Sequence, residues 1–85
     1  MEVRYTARFA RAYRKLPADI KNLAEQRELL FRENPFHSRL NTHKLHGRWS
    51  DFWSFSVGYR YRIIFEFGDD EIAYFHDIGN HDVYQ

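Results

Sequence analysis

The first half of the chain carries apolar residues at helical spacing. A short β-forming stretch, residues 3–5, comes first. Phe9, Tyr13 and Leu16 then recur at i, i+4 and i+7, which indicates an amphipathic helix, and Thr6 is placed to cap it. The pattern therefore predicts a strand followed by a helix.

A second helix is expected after a proline. Pro17 breaks the first helix and fits the first turn of the next one, where Asp19 complements the helix dipole. Asn34 and Pro35 stop the second helix. The residues expected on one face of this second helix recur at helical spacing: Ile20, Leu23, Ala24, Arg27, Leu30 and Phe31. The two helices are expected to form an αα-hairpin.

After an irregular polar segment at residues 35–48, which we interpret as a loop passing into a strand, the period changes to two. Strands are predicted at 53–57, 59–67 and 72–78, with turns at Gly58 and at residues 68–70. In the strand at 59–67 one face is apolar: Tyr59, Tyr61, Ile63, Phe65 and Phe67. In the last strand Ile72, Tyr74, His76 and Ile78 are expected to share a face.

The predicted order is therefore β-α-α-β-β-β. A helical pair followed by a meander is typical of an α+β fold, with both helices packed on one face of a twisted antiparallel sheet. The other sheet face is expected to be free. The pattern shows no repeat or linker, so residues 1–85 are expected to form one domain.

Composition explains how so short a chain builds a core. A domain of 85 residues buries only about 60–65% of its unfolded surface. It has no cysteine for disulfides, but eight Phe, six Tyr and two Trp, and each aromatic side chain can bury on the order of 150–250 Å². No stretch is long and apolar enough to span a membrane, and the N-terminus lacks an apolar signal region, so we expect a cytoplasmic protein.

Charge is distributed unevenly along the chain. Residues 1–48 hold 11 Lys or Arg against 5 Asp or Glu (+6), and residues 49–85 hold 2 against 7 (−5). Most of the cations are arginines, whose planar guanidinium suits phosphate. The basic half therefore points to nucleic acid, although a solvated helix face explains the composition equally well.

Two arginines are the first candidates for chemistry. Arg60 and Arg62 are two residues apart in the predicted strand at 59–67, so they are expected on one face, opposite the apolar row. Two guanidinium groups side by side would bind a phosphate backbone. The alternative is that they pair across strands with acidic residues, for which the sequence offers Asp51, Glu71 and Asp77.

The closing segment offers a histidine. Gly79 leads out of the last strand, which places His81 on a loop at the sheet edge, and histidine is a natural general acid or base for phosphodiester cleavage. A solvated loop histidine is the alternative. Tyr84 either stacks on a base or covers the core. His43 and His46 lie three apart, but without cysteine or a known zinc motif we expect no metal site.

Three segments resemble the RelE/ParE toxins, in order and at the appropriate spacing. Residues 58–65 (GYRYRIIF) are similar to that superfamily's Tyr-Arg-aliphatic-aliphatic-aromatic strand, and residues 78–84 (IGNHDVY) to its closing "VGKR…VY" or "TGTH" segment. Residues 44–49 (KLHGRW) resemble the "LxGxW" start of its second strand. The resemblance covers nearly the whole chain and implies a toxin of a type II toxin–antitoxin system, in its RelE/YafQ-like messenger RNA-cleaving branch.

The resemblance implies a metal-independent endoribonuclease, without cofactor, that cleaves the ribosomal A-site codon through attack by the ribose 2′-hydroxyl. Arg62 matches the strand arginine that stabilises the phosphate in the transition state. His81 matches a catalytic Arg or His that protonates the leaving 5′-oxygen. His43 aligns with a histidine of the YafQ-like branch, as general base or phosphate contact. Other expected contacts to messenger or ribosomal RNA are Arg60, Tyr84, Lys44 and Arg48.

The resemblance also leaves other functions open. Trp53 and Phe55 stand where some relatives place lysines on the second strand, and no residues after Gln85 supply the additional C-terminal helix of some members. A ParE-like inhibitor of DNA gyrase and an inert binding module are the alternatives. In every case the resemblance implies a cognate antitoxin as the protein partner, and a free sheet edge or the groove between the helices could accept a strand or a helix of it.

Overall fold

The computed structural model describes residues 1–80. Two helices and the four predicted strands form in the predicted order, which confirms the α+β class and the helix pair on a sheet, and a short fifth strand is added at the sheet edge. The predicted loop at residues 35–48 contains two 3₁₀ turns, Ser38–Leu40 and Gly47–Trp49, and a two-residue strand at the sheet edge. The elements are β1 (Glu2–Tyr5), α1 (Ala7–Arg14), α2 (Ala18–Glu33), β2 (His43–Lys44), β3 (Trp53–Val57), β4 (Tyr61–Phe67) and β5 (Ile72–Asn80).

Both helix starts follow from local side-chain and backbone chemistry. The Thr6 hydroxyl accepts a hydrogen bond from the Phe9 amide at 3.1 Å, which confirms the predicted cap of α1. Pro17 lies one residue before α2, not in its first turn, and its carbonyl accepts from the Lys21 amide at 3.0 Å. Asp19 occupies the first turn of α2 as expected.

The strand order in the sheet is β1-β5-β4-β3-β2. The helices carry the chain across one face from β1 at one edge to β2 at the other, and the meander then returns it to β1. Neighbouring strands of the meander are antiparallel, whereas β1 and β5 are parallel. The sheet is therefore antiparallel with one parallel edge, a pairing that the local pattern does not encode.

Four phenylalanines form the centre of the core. Phe31 on α2 contacts Phe55, Phe65 and Phe75 on three adjacent strands, with ring centroids 5.0, 4.9 and 5.2 Å away. All four side chains are completely buried. The ring of Phe31 stacks on Phe55 and meets the other two edge to face, arrangements that aromatic pairs prefer. The second helix is thus fixed to the middle of the sheet.

A β-bulge interrupts the last strand. Phe65 pairs with Phe75 and Ile64 pairs with Asp77, so His76 is an extra residue without a cross-strand partner. The predicted uninterrupted alternation is therefore wrong. Ala73, Phe75 and Ile78 are buried in the core, although they do not share one period-two series.

The turn before β4 is longer than predicted. Val57 pairs with Tyr61, which leaves residues 58–60 as a three-residue loop, called the β3–β4 turn below. Gly58 has a φ of +66°, a conformation that glycine adopts without a steric penalty. Tyr59 and Arg60 therefore belong to the turn and not to the strand predicted at 59–67. Tyr59, expected in the core row, is fully exposed.

No helix within residues 1–80 is long and apolar enough to cross a membrane.

Replacing Phe31 by alanine should lower the free energy of unfolding by about 3–5 kcal/mol, because the cavity would lie where three strands meet the helix. Urea denaturation followed by circular dichroism measures the loss. Leu29→Ala on the same helix is the control: Leu29 is 66% exposed, and its truncation should change stability by less than about 0.5 kcal/mol. Equal losses in the two variants would contradict the central position of Phe31.

Candidate functional site

The sheet face opposite the helices carries the residues of the proposed site. Alternation along β3 and β4 directs Ser54, Ser56, Arg62, Ile64 and Glu66 away from the helices, while the residues between them face the core. We call this the second face. It combines hydroxyl, guanidinium and carboxylate groups, unlike the aromatic face beneath the helices.

The second face is covered at its centre, so the prediction that it is free is wrong there. Ser54 and Ile64 are 0% and 1% exposed. Nearby, the Nε2–H of His76 donates to Glu66 at 2.8 Å, and the ring of Phe52 meets His76 edge to face at 5.1 Å. Chain outside the sheet thus packs on this face beside the remaining polar groups.

His43 is held in one orientation and one tautomer. Its Nδ1 lies 3.0 Å from the Asn41 carbonyl oxygen, which can only accept, so Nδ1 carries the proton. In the neutral ring Nε2 then carries the lone pair, and the Ser54 hydroxyl, 3.4 Å away, can donate to it. Asn41 presents its carbonyl from a left-handed backbone conformation, φ 50°. A neutral histidine arranged in this way can act as a base through Nε2.

Arg62 has one buried guanidinium nitrogen without a hydrogen-bond partner among the described residues. It lies on β4 between Ser56 on β3 and Gly79 on β5. Its Nη1 is buried and has no hydrogen-bond partner within the described part of the chain. Burying a charged donor without a partner is costly, so this nitrogen is available to an acceptor outside the described residues.

Sheet geometry relates His43 to Arg62. His43 pairs with Ser54, whereas Arg62 pairs with Ser56, two residues further along β3. Strands are about 4.8 Å apart and residues about 3.4 Å apart along a strand, which puts the two Cα atoms on the order of 12 Å from each other. Both side chains extend from the second face, so a phosphodiester between them can reach both.

The structure separates Arg60 from Arg62. Arg60 is exposed in the β3–β4 turn, so the prediction that the two share one strand face is wrong. The reason is the three-residue loop after Gly58, which delays the start of β4 to Tyr61. No ion pair among residues 1–80 includes either arginine, and Asp77, one of the acidic alternatives, pairs with Arg8 at 3.1 Å.

The other predicted site residues divide into two groups. Lys44 on β2 and Arg48 in the 3₁₀ turn after it are exposed, as a contact to RNA phosphates requires. His81 and Tyr84 lie outside the described residues. The last described residue, Asn80, pairs with Tyr61 next to the β3–β4 turn. Within residues 1–80, no three His, Asp or Glu side chains are placed to hold a metal ion.

Sequence reasoning missed the groups that orient His43. Ser54 was expected only as a polar spacer, and Asn41 only as part of a loop. The pairing of β2 with β3, which joins His43 to Ser54, rests on two residues and leaves almost no periodic signal. Asn41 alone carried a usable hint, because asparagine tolerates the left-handed conformation better than most residues.

Several solved structures share this fold. YafQ of E. coli strain BL21(DE3) superimposes with a TM-score of 0.79 at 17% identity, covering 96% of this chain and 94% of that one. The toxin–antitoxin complex RelBE2 of Mycobacterium tuberculosis gives 0.78 at 18% identity, covering 93% and 95%. The E. coli DinJ–YafQ complex gives 0.66 at 16% identity, covering 96% and 94%.

Comparison of the sequence with family models identifies the class of protein. The model of a family described as the bacterial toxin of a type II toxin–antitoxin system, YafQ, matches residues 1–84. A search among curated proteins finds no match. Together with the RelE-like fold, the match defines the chain as a toxin component of a type II toxin–antitoxin system. Within that class, it belongs to the YafQ toxin family.

Arg62→Met should raise the free energy of unfolding by about 1 kcal/mol, because it removes a buried, unsatisfied charged donor and keeps the side-chain volume. Thermal and urea unfolding measure the change. Arg32→Met is the matched control: Arg32 pairs with Glu28 at 3.1 Å, so its loss should destabilise by about 0.2–1 kcal/mol. A destabilised Arg62→Met would show that Arg62 is structural.

Proposed function

We propose that this toxin is a ribosome-dependent endoribonuclease that cleaves messenger RNA in the A-site codon without a metal ion. The observation that carries the proposal is the unsatisfied Arg62 guanidinium on the same sheet face as an oriented His43. A group held for an anion and a group held as a base are the two requirements for attack of a 2′-hydroxyl on its own phosphate.

In the proposed reaction His43 removes the proton of the ribose 2′-hydroxyl through Nε2. The 2′-oxygen forms a bond to the adjacent phosphorus while the bond to the 5′-oxygen of the next nucleotide breaks. Arg62 stabilises the charge on the phosphoryl oxygens in the transition state, and His81 protonates the leaving 5′-oxygen. The products are a 2′,3′-cyclic phosphate and a 5′-hydroxyl.

The remaining predicted residues would hold the RNA. Lys44, Arg48 and Arg60 are exposed cations that can bind phosphates without reading sequence. Tyr84 would stack on a base, as aromatic side chains do in single-stranded RNA recognition. Action on translating ribosomes also requires that the protein be cytoplasmic.

An antitoxin would control this activity. Solved structures similar to this chain include toxins crystallised with their partners, DinJ with YafQ and the RelBE2 complex. We propose that a cognate antitoxin likewise binds this chain. Gyrase inhibition and inert binding remain the competing functions, and the hydrogen-bonded orientation of His43 favours the nuclease, because neither competitor needs a general base.

Inducible expression in bacteria tests the proposal. The wild type should arrest growth and produce new message ends inside translated codons, in frame, and both effects should disappear in Arg62→Ala and in His81→Ala. Mapping 5′ ends of cellular messages measures this. Arg32→Ala, a cation on the helix layer, is the control and should arrest growth normally. Arrest without new message ends would refute cleavage and favour gyrase inhibition.

The role of His43 has its own test. His43→Ala should lower the single-turnover rate on programmed ribosomes by about 10²–10⁴-fold, the usual range for loss of a general base. His46→Ala is the matched control, because His46 is also exposed and lies three residues along the same segment. Equal rates for His43→Ala and the wild type would leave His43 without a catalytic role.

A further inference from the structure

Tyr59 has no structural role among the described residues. Its side chain is 101% exposed, and within residues 1–80 its ring packs on no other aromatic ring. Two other exposed aromatics, Tyr5 and Phe36, differ. Tyr5 stacks on Phe9 and donates to Glu28, and Phe36 stacks on Phe67 and meets Trp53 edge to face.

The backbone beneath Tyr59 is fixed. Gly58 is in the left-handed region, and a Cβ there would lie 3.0 Å from Cδ2 of Leu23 on α2. The helix layer therefore packs directly against the base of the β3–β4 turn. A ligand that binds the ring therefore has to order the side chain but not the backbone beneath it.

The turn lies at the end of the sheet where the proposed site is. Val57 and Tyr61 close the turn, and Tyr61 pairs with Asn80, the residue before His81. Arg62, with its unsatisfied guanidinium, follows one residue after Tyr61. Arg60, exposed and without an ion pair among residues 1–80, is next to Tyr59.

We propose that Tyr59 is a base-stacking residue for the RNA substrate, with Arg60 binding the adjoining phosphate. This inference rests on the proposed nuclease function and extends its substrate-binding site to the β3–β4 turn. A planar ring beside a guanidinium matches a nucleotide, which offers a flat base and an anion a few ångströms apart. Stacking accepts any base, so Tyr59 contributes to affinity and not to codon choice.

The test is single-turnover cleavage on purified ribosomes carrying a defined message, with toxin freed of antitoxin. Tyr59→Ala should raise the toxin concentration for half-maximal rate by about 5- to 100-fold, the range for loss of one stacked base, and leave the maximal rate within about twofold. Tyr59→Phe should behave as wild type, because the ring is kept. For Arg60→Gln, the slope of the logarithm of the binding constant against the logarithm of the salt concentration should fall by the amount expected for about one phosphate contact.

Leu29→Ala is the control, since Leu29 is an exposed apolar residue on the helix layer. Tyr59→Ala should keep the wild-type unfolding midpoint, because the ring touches no core. Wild-type cleavage with unchanged half-saturation in Tyr59→Ala would overturn this inference alone. Absence of wild-type cleavage would overturn the nuclease proposal and this inference with it. Weaker antitoxin binding by Tyr59→Ala, with cleavage unchanged, would reassign Tyr59 to a protein interface.

Discussion

The packing of Phe31 against three strands is the contact on which the rest of the molecule depends. A chain of 85 residues without cysteine has no covalent means of holding its layers together. One ring from α2 instead meets Phe55, Phe65 and Phe75, so the helix layer and three neighbouring strands share a single buried cluster. Because this cluster occupies only one sheet face, the opposite face does not need to be apolar, and hydroxyl, imidazole and guanidinium groups are accommodated there.

Much of the fold could be predicted from the sequence, because both helices and three of the strands have strong periodicity. The errors share one physical cause. A period-two pattern shows which residues alternate, but it does not show where a strand gains an extra residue or how many residues a turn takes. The bulge at His76 and the loop after Gly58 are such places. The loop misplaced Arg60 and Tyr59, and the bulge changed which residues of the last strand share a face, while Arg62, which follows the start of β4, was placed correctly.

The candidate site was harder to predict than the fold, because its organisation depends on pairing between distant segments. Arg62 was singled out from strand alternation and from the resemblance, and His43 from the resemblance, and the structure adds why they suit their proposed roles. The Asn41 carbonyl selects the tautomer of His43, and Arg62 remains unsatisfied within residues 1–80. Neither property has a signature in the local sequence. A buried donor left without a partner is typical of sites where binding a ligand, and not folding, determines the residue.

The bulge in β5 also has a consequence for how the two ends of that strand are related. Before His76, alternate side chains of the strand point into the core: Ala73 and Phe75 are buried, and both residues pair with β1. After His76 the alternation is shifted by one residue, so that an even-numbered residue, Ile78, which pairs with β4, is buried. The extra residue therefore shifts the alternation by one position, so that the strand contributes to the core on both sides of His76 and still continues to Asn80, the residue before the proposed catalytic His81.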